Sequence, residues 1–457
     1  MIPNWSAMLP LKLKSLRTAL ALLGALLLVA ARAADTPPVE RNYSLSDATS
    51  EVLAKYKTSM EANGGKNYDA SIAILDGQIA KAEAGSYDLA LLYQIKAQTL
   101  LQKGDFSKSI EPLERGLALS DAKTPTYFEE RVVRDLVYFL AQLYFQEAVQ
   151  SKNASLVPGY WEQAEKYMVR WTQAVKKPTA DNYLFYTQLL YSRAVQNADH
   201  PDLELVKRAL VQIDKALHLV SRPKDNMYVL KLVCLQQLNR NAEAAEILEV
   251  LVKQKPDSST YWQQLAALYL STEQNVRAIL TYERAQANGH MNGPKDNYNL
   301  IGIYFNLGQY EKSAELLEKG LKNGGLENEM KNWELLAFSY QQLERPLKGI
   351  EALKEASKAY PKSGQIEFMI AQAYFGLDQA EAALPHAQAA VQKGSLNKPH
   401  QAYMFLAYIG YQLKKFDLAL EAAKKAAEFP EGAKEAKSMV HAIEDIIKER
   451  EAKKNKT

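Results

Sequence analysis

From about residue 226 onward, apolar residues recur at i, i+3/i+4 and i+7 in short segments, polar residues fill the positions between, and the segments come in pairs. The stretch Trp333–Pro361 shows the unit. Trp333, Leu336/Ala337 and Tyr340 make one apolar stripe on a helix. Gly349, Leu353 and Ala356 occupy a second helix, and Pro361 stops it because proline cannot continue a helical ladder. The small side chains of Ala337 and Ala356 allow the two helices to approach closely. The same spacing opens at Tyr228, Trp262, Asn297, Trp333, Glu367 and Tyr403, in steps of 34, 35, 36, 34 and 36 residues. The pattern therefore predicts six regular helix hairpins over residues 221–430.

Residues 46–220 are less regular. Ser44-Leu-Ser-Asp has N-cap chemistry and predicts a helix from about Ser46 to Ala62, ended by Asn63-Gly64-Gly65. A partner follows over about Tyr68–Ala84, with Ile72, Leu75 and Ile79 on one face. Tyr87–Leu119 is a clear hairpin: Tyr93, Ala97 and Leu100 on the first helix, a turn at Gly104-Asp105-Phe106, then Phe106, Ser109, Leu113 and Gly116. Two oversized pairs come next. Tyr127–Gln150 turns Val133, Leu136, Leu140, Leu143 and Tyr144 inward, and a helix beginning near Pro158 carries Trp161, Ala164, Met168 and Trp171. Asn182–Gln196 pairs with Asp202–Leu219. Beyond the regular hairpins, residues 431–457 hold a single helix, Glu431–Arg450, with Met439, Ile443 and Ile446/Ile447 on one side, and a charged tail read as solubilising. Such a helix caps the end of a stacked array.

The N-terminus changes the picture of where the chain works. Lys12, Lys14 and Arg17 precede the uncharged run Thr18–Ala31, and Ala31-Arg32-Ala33 is a small-x-small cleavage site. Residues 1–33 read as a secretory signal peptide, with a retained anchor as the alternative, and residues 34–45 as a polar linker. Cleavage after Ala33 removes Lys12, Lys14, Arg17 and Arg32, leaving 52 basic against 53 acidic residues and a net charge of −1. The basic balance of the whole chain thus belongs to the signal, and nucleic acid is not indicated as a partner. The lone Cys234 cannot form an internal disulfide and falls on an apolar helix face, so it reads as an inert core thiol. A cysteine-poor exported chain with an Ala-rich signal points to the periplasm, with any membrane contact only indirect.

No catalytic, metal or cofactor motif is evident. His200, His218, His290, His386, His400 and His441 all lack the H-E-x-x-H spacing of zinc proteases. Gly64-Gly65-Lys66 lacks the earlier glycine and the hydroxyl residue of a phosphate-binding loop. No segment is left over for an enzyme domain. The sequence reads as a non-enzyme without a small-molecule substrate.

The spacing quoted above is that of the W-x2-L-G/A-x2-Y…A…P pattern of roughly 34 residues, and about Tyr68–Phe429 resembles the tetratricopeptide repeat (TPR) superfamily. The resemblance implies an all-α, right-handed TPR solenoid of about ten helix hairpins with a C-terminal capping helix. In such arrays the first helices line the concave side, and positions one, five and eight residues after each opener face the groove. Here these are Tyr298, Gly302 and Phe305, then Glu334, Phe338 and Gln341, then Phe368, Gln372 and Phe375, then Met404, Tyr408 and Tyr411. Aromatic residues at such positions anchor partners, and Tyr298, Phe305, Phe338, Gln341, Phe368, Gln372, Phe375, Tyr408 and Tyr411 are the expected partner-binding set. The alternative is that these rings pack between neighbouring first helices or under the capping helix. The Lys/Asn pattern that clamps a C-terminal carboxylate is missing.

At finer grain, the Ala-rich signal, the cysteine-poor repeat chain, the degenerate early repeats and the run from Asn226 resemble exported TPR proteins associated with ExbB–ExbD–TonB systems. That resemblance implies a periplasmic accessory scaffold for TonB-dependent transport with an ExbB-, ExbD- or TonB-like partner. An envelope assembly or secretion factor, for an outer-membrane protein or exopolysaccharide, is the other reading.

Overall fold

The computed structural model describes residues 41–62 and 66–454, with side chains as far as Arg450. The expected signal peptide, most of the linker, the Asn63-Gly64-Gly65 helix end and the last three residues of the tail lie outside the described residues. All regular structure among the described residues is helical, and none of their helices is long and apolar enough to cross a membrane. The chain forms two compact units, Met1–Ile247 and Leu248–Thr457.

In chain order the helices are α1 (Asp47–Glu61), α2 (Tyr68–Ile79), α3 (Tyr87–Lys103), α4 (Phe106–Asp121), α5 (Glu130–Gln150), α6 (Val157–Ala174), α7 (Ala180–Ala194), α8 (Leu203–His218), α9 (Asp225–Gln237) and α10 (Asn241–Gln254). They continue as α11 (Ser259–Ser271), α12 (Asn275–Ala287), α13 (Pro294–Asn306), α14 (Tyr310–Asn323), α15 (Met330–Gln342) and α16 (Pro346–Ala359). The last five are α17 (Gly364–Phe375), α18 (Ala380–Lys393), α19 (Pro399–Gln412), α20 (Phe416–Ala427) and α21 (Ala433–Lys454). These bounds differ from the sequence expectation at ends: α5 starts at Glu130 rather than Tyr127, and α2 stops at Ile79 rather than Ala84.

The repeat is visible in the backbone itself. With Tyr93 counted as the opener of its hairpin, Gly104, Asn239, Glu273, Gly308, Glu344, Asp378 and Lys414, each eleven residues past an opener, all have positive φ. At each, the next amide reaches back five residues to a carbonyl of the first helix, as Gln309 to Tyr304 (2.9 Å), Arg345 to Tyr340 (2.9 Å) and Lys415 to Gly410 (2.8 Å). This is the Schellman closure, which satisfies orphan carbonyls and reverses the chain at once. The second helix begins two residues on, so each hairpin is tight.

Small residues then set how close the helices come. The position sixteen residues past each opener is Ser109, Ala244, Ala278, Ser313, Gly349, Ala383 or Ala419, and all are buried. At Gly349 and Gly410 an added Cβ would lie 3.1 Å from the Ala337 carbonyl and 3.2 Å from the Ala419 backbone nitrogen. Adjacent hairpins of the second unit are joined by a polar ladder on top of the apolar contact. The tyrosine seven residues past an opener bonds to a side chain on the second helix of the preceding hairpin: Tyr269 to Glu249 (3.3 Å), Tyr304 to Glu283 (2.7 Å) and Tyr340 to Glu318 (2.6 Å). At Tyr374 the partner is Lys354, and the lysine donates instead (2.7 Å).

The first unit departs from this rule because its helices are long and aromatic. Trp161, Ala164, Met168 and Trp171 are all buried on α6. Phe145 stacks edge-on to both Trp161 and Phe185, each at 5.6 Å, and Tyr138 lies 4.9 Å from Trp171. Glu114 on α4 accepts hydrogen bonds from Tyr144 of α5 and Tyr167 of α6, both 2.8 Å. The end of the expected linker is anchored: the Tyr43 hydroxyl donates to the Pro125 carbonyl (2.7 Å), and Arg41 Nε donates to that of Thr126 (3.1 Å). Cys234 is fully buried, and burial, reinforced by the charge of Asp214, pushes its thiol up to about 12. At the other end α21 covers the last hairpin, with Ile443 buried against Ala419, Ala422 and Ala423.

Candidate functional site

The first helices α13, α15 and α17 reach one cavity of 1010 Å³ in the second unit. Tyr298 of α13, Phe338 and Gln341 of α15 and Gln372 of α17 all line it. The spacing explains the convergence. Phe338 and Gln341 are three residues apart on α15, hence on one face, and the repeat step carries that face to the equivalent place on α17.

The nine expected residues do not share one environment. Phe338, Tyr408 and Tyr411 are 47%, 53% and 38% exposed, unusually high for rings. Phe305 is half-buried and lies 5.7 Å from Phe338, so the two make a continuous aromatic surface. Phe375 and Tyr408 form a second pair at 5.6 Å, and Tyr411 stands edge-on to Phe416 at 5.9 Å. None of these last three lines the cavity. Phe368 corrects the expectation: it is 7% exposed, packed on Ala390 and Ala402 and edge-on to Phe405 at 5.6 Å. It lies one residue past its opener, where a first helix meets the next first helix, and α19 closes over it.

Much of the lining escapes the first-helix rule, including residues of α16 such as Pro346 and Leu353. Met369 and Leu377 add apolar surface, and Asn397, from the loop after α18, adds an amide. Met369 falls two residues past an opener, outside the groove series, and a loop residue carries no periodic signal.

Among the charged lining groups, Lys331 is paired with Glu329 and lies 5.0 Å over the Tyr298 ring. Glu334 is half-buried, and burial pushes its carboxyl up. Glu367 of α17, outside the cavity lining, is buried and accepts from His386 Nδ1 (2.7 Å), Lys393 Nζ (2.7 Å) and Ser357 Oγ (2.8 Å).

Residues 334–398 and 368–433 match the family model described as tetratricopeptide repeat. The chain is a TPR protein. The matched residues span α15 to α20, the last three hairpins before α21. No curated protein matches the chain. Among solved structures it is similar to a MamA fragment from Desulfovibrio magneticus RS-1, 17% identical over 37% of this chain and 93% of that one, TM-score 0.31. It is similar also to PilF of Pseudomonas aeruginosa, 14% identical over 47% and 95%, TM-score 0.30. A third is YrrB, titled a TPR protein with an unusual peptide-binding site, 18% identical over 44% and 98%, TM-score 0.33. TPR arrays commonly bind other proteins, so the fold is that of a protein–protein interaction scaffold, a class typically without catalysis.

Proposed function

We propose that this TPR protein is an exported, periplasmic scaffold that grips a segment of a partner protein in the groove around Phe338, as an accessory component of a TonB-type energy-transduction system. The observation that carries the groove is the cavity itself, walled by first helices and bearing a ring that is 47% exposed. An aromatic side chain on a rigid helix gives large contact area at low entropic cost. The periplasmic assignment is supported by the basic, apolar and small-x-small succession of residues 1–33. The TonB assignment is supported by the resemblance of signal and repeat organisation to exported TPR proteins of such systems.

A photoreactive residue at Phe338 in the periplasm of the producing cell tests the reading. Capture of an ExbB-, ExbD- or TonB-like protein is expected. Capture of a polymer synthase or an outer-membrane barrel would replace the transport role with an assembly role. No adduct from a folded protein would refute the groove. Mass spectrometry of the mature chain should find Ala34 at its N-terminus.

A further inference from the structure

One acid in the cavity lacks the polar partner that acids nearby in the chain have. Glu311 pairs with Arg345 (2.8 Å), Glu318 takes the Tyr340 hydroxyl (2.6 Å), and Glu355 pairs with Lys358 (2.6 Å). Glu334, among the described residues, has neither an ion-pair nor a hydrogen-bond partner, and burial alone perturbs its carboxyl. A half-buried carboxylate without a partner costs stability. The lysine of the cavity does not relieve it, since Lys331 is engaged with Glu329 and lies over Tyr298. The other ionised lining residue, Glu344, is also an acid. The cavity thus carries unbalanced negative charge.

The ring of Phe338 stands four residues along α15 from Glu334, hence one turn away on the same face. A cation placed there gains from both the carboxylate and the ring face. Gln341, Gln372 and Asn397 supply amides that can donate to and accept from a peptide backbone. Met369 and Leu377 offer apolar surface beside them. At 1010 Å³ the cavity sits at the top of the ~300–1,000 Å³ range of small-molecule sites, which suits several residues of a chain better than one small amine.

We infer that this groove takes an extended peptide segment, seating a lysine or arginine between the Glu334 carboxylate and the Phe338 ring and an adjacent apolar side chain on Met369 and Leu377. The inference rests on the groove reading above and adds the chemistry of its occupant.

Fluorescence anisotropy with the full chain tests it, using a labelled dodecapeptide of alternating lysine and leucine and its counterpart with glutamate for lysine. The basic probe should bind about tenfold tighter. Glu334→Gln should abolish most of that preference without lowering the melting temperature, and Glu334→Lys should reverse it. A preference that survives Glu334→Gln, or equal binding of both probes, overturns the inference. If both probes bind alike and Phe338→Ala weakens both, the groove stands and its charge selectivity falls. If neither binds, both readings fall. Displacement of the basic probe by spermidine as readily as by unlabelled peptide would show a free-amine site and overturn the peptide assignment.

Discussion

Glu367 shows how much a single position can hide. It opens a hairpin where the other openers are tyrosine, tryptophan or asparagine, and the structure makes it the centre of a buried ion network. Burial alone would push its carboxyl up. The hydrogen bonds from His386, Lys393 and Ser357 outweigh that and hold it at about 2, against an ordinary value of 4.5. A carboxyl depressed by folding contributes stability that is complete above its unfolded value and is lost as pH falls toward its folded one. Glu367→Gln should therefore cost ~1–3 kcal/mol at pH 7, and the difference from wild type should shrink as pH falls from about 4.5 to about 2. Melting temperatures of both proteins across that range check this; parallel curves would show that the network carries no linked stability. Nothing local in the sequence announces the role, because His386 and Lys393 lie 19 and 26 residues downstream on another helix.

The elements were the most legible level, and the reason is mechanical. Each regular hairpin must reverse the chain within two to four residues and bring two helices into close approach, so turn and small positions recur at fixed offsets that a sequence exposes directly. What lies between hairpins leaves a fainter trace. Phe368 and Phe338 both fall in the groove series, yet Phe368 is covered by Ala402 and Phe405 of α19 while Phe338 stays 47% exposed. Hairpin periodicity does not encode that difference, since it depends on the side chains of the next repeat. The junction of α17 with the end of α18 gives a sharp test of inter-element fit. The Gly364 amide donates to the Gly394 carbonyl (3.0 Å), and a Cβ on Gly364 would lie 2.1 Å from the Gly394 carbonyl oxygen and 2.4 Å from that of Ala390. Both obstacles are backbone and cannot rotate away. Gly364→Ala should cost ~3 kcal/mol or more. The control, Gly77→Ala in α2, has no atom within 4 Å of its new Cβ, and there the helix should gain ~0.5–1 kcal/mol. Chemical denaturation of both variants checks the pair; equal effects would refute the close approach.

At the scale of the molecule, stability in a stacked array is a sum of hairpin terms and nearest-neighbour terms, so damage at one end should stay near that end. The C-terminal end is where this is most exposed to test. Ala419, Ala422 and Ala423 of α20 are buried partly by α21, through Ile443 and the half-buried Met439, Val440 and Ile447. The Arg450 guanidinium lies 4.3 Å over the Phe416 ring, and Lys424 pairs with Glu444 at 3.1 Å. These polar pairs are largely exposed and contribute little beside the apolar cover. Truncation after Phe429 uncovers that alanine face and the Phe416 ring beside it. Amide exchange should then accelerate strongly in α19 and α20, moderately in α17 and α18, and scarcely in α11 and α12. The graded loss follows from pairwise stacking, whereas uniform acceleration through the unit would mean that the hairpins unfold as one cooperative body and that the cap is a general stabiliser. The same locality bears on the groove, for its cavity is bounded by α13, α15 and α17. If stacking is pairwise, the truncated chain keeps Glu334, Phe338 and Gln372 in place and retains the basic probe, while the aromatic pair of Phe375 and Tyr408 loosens.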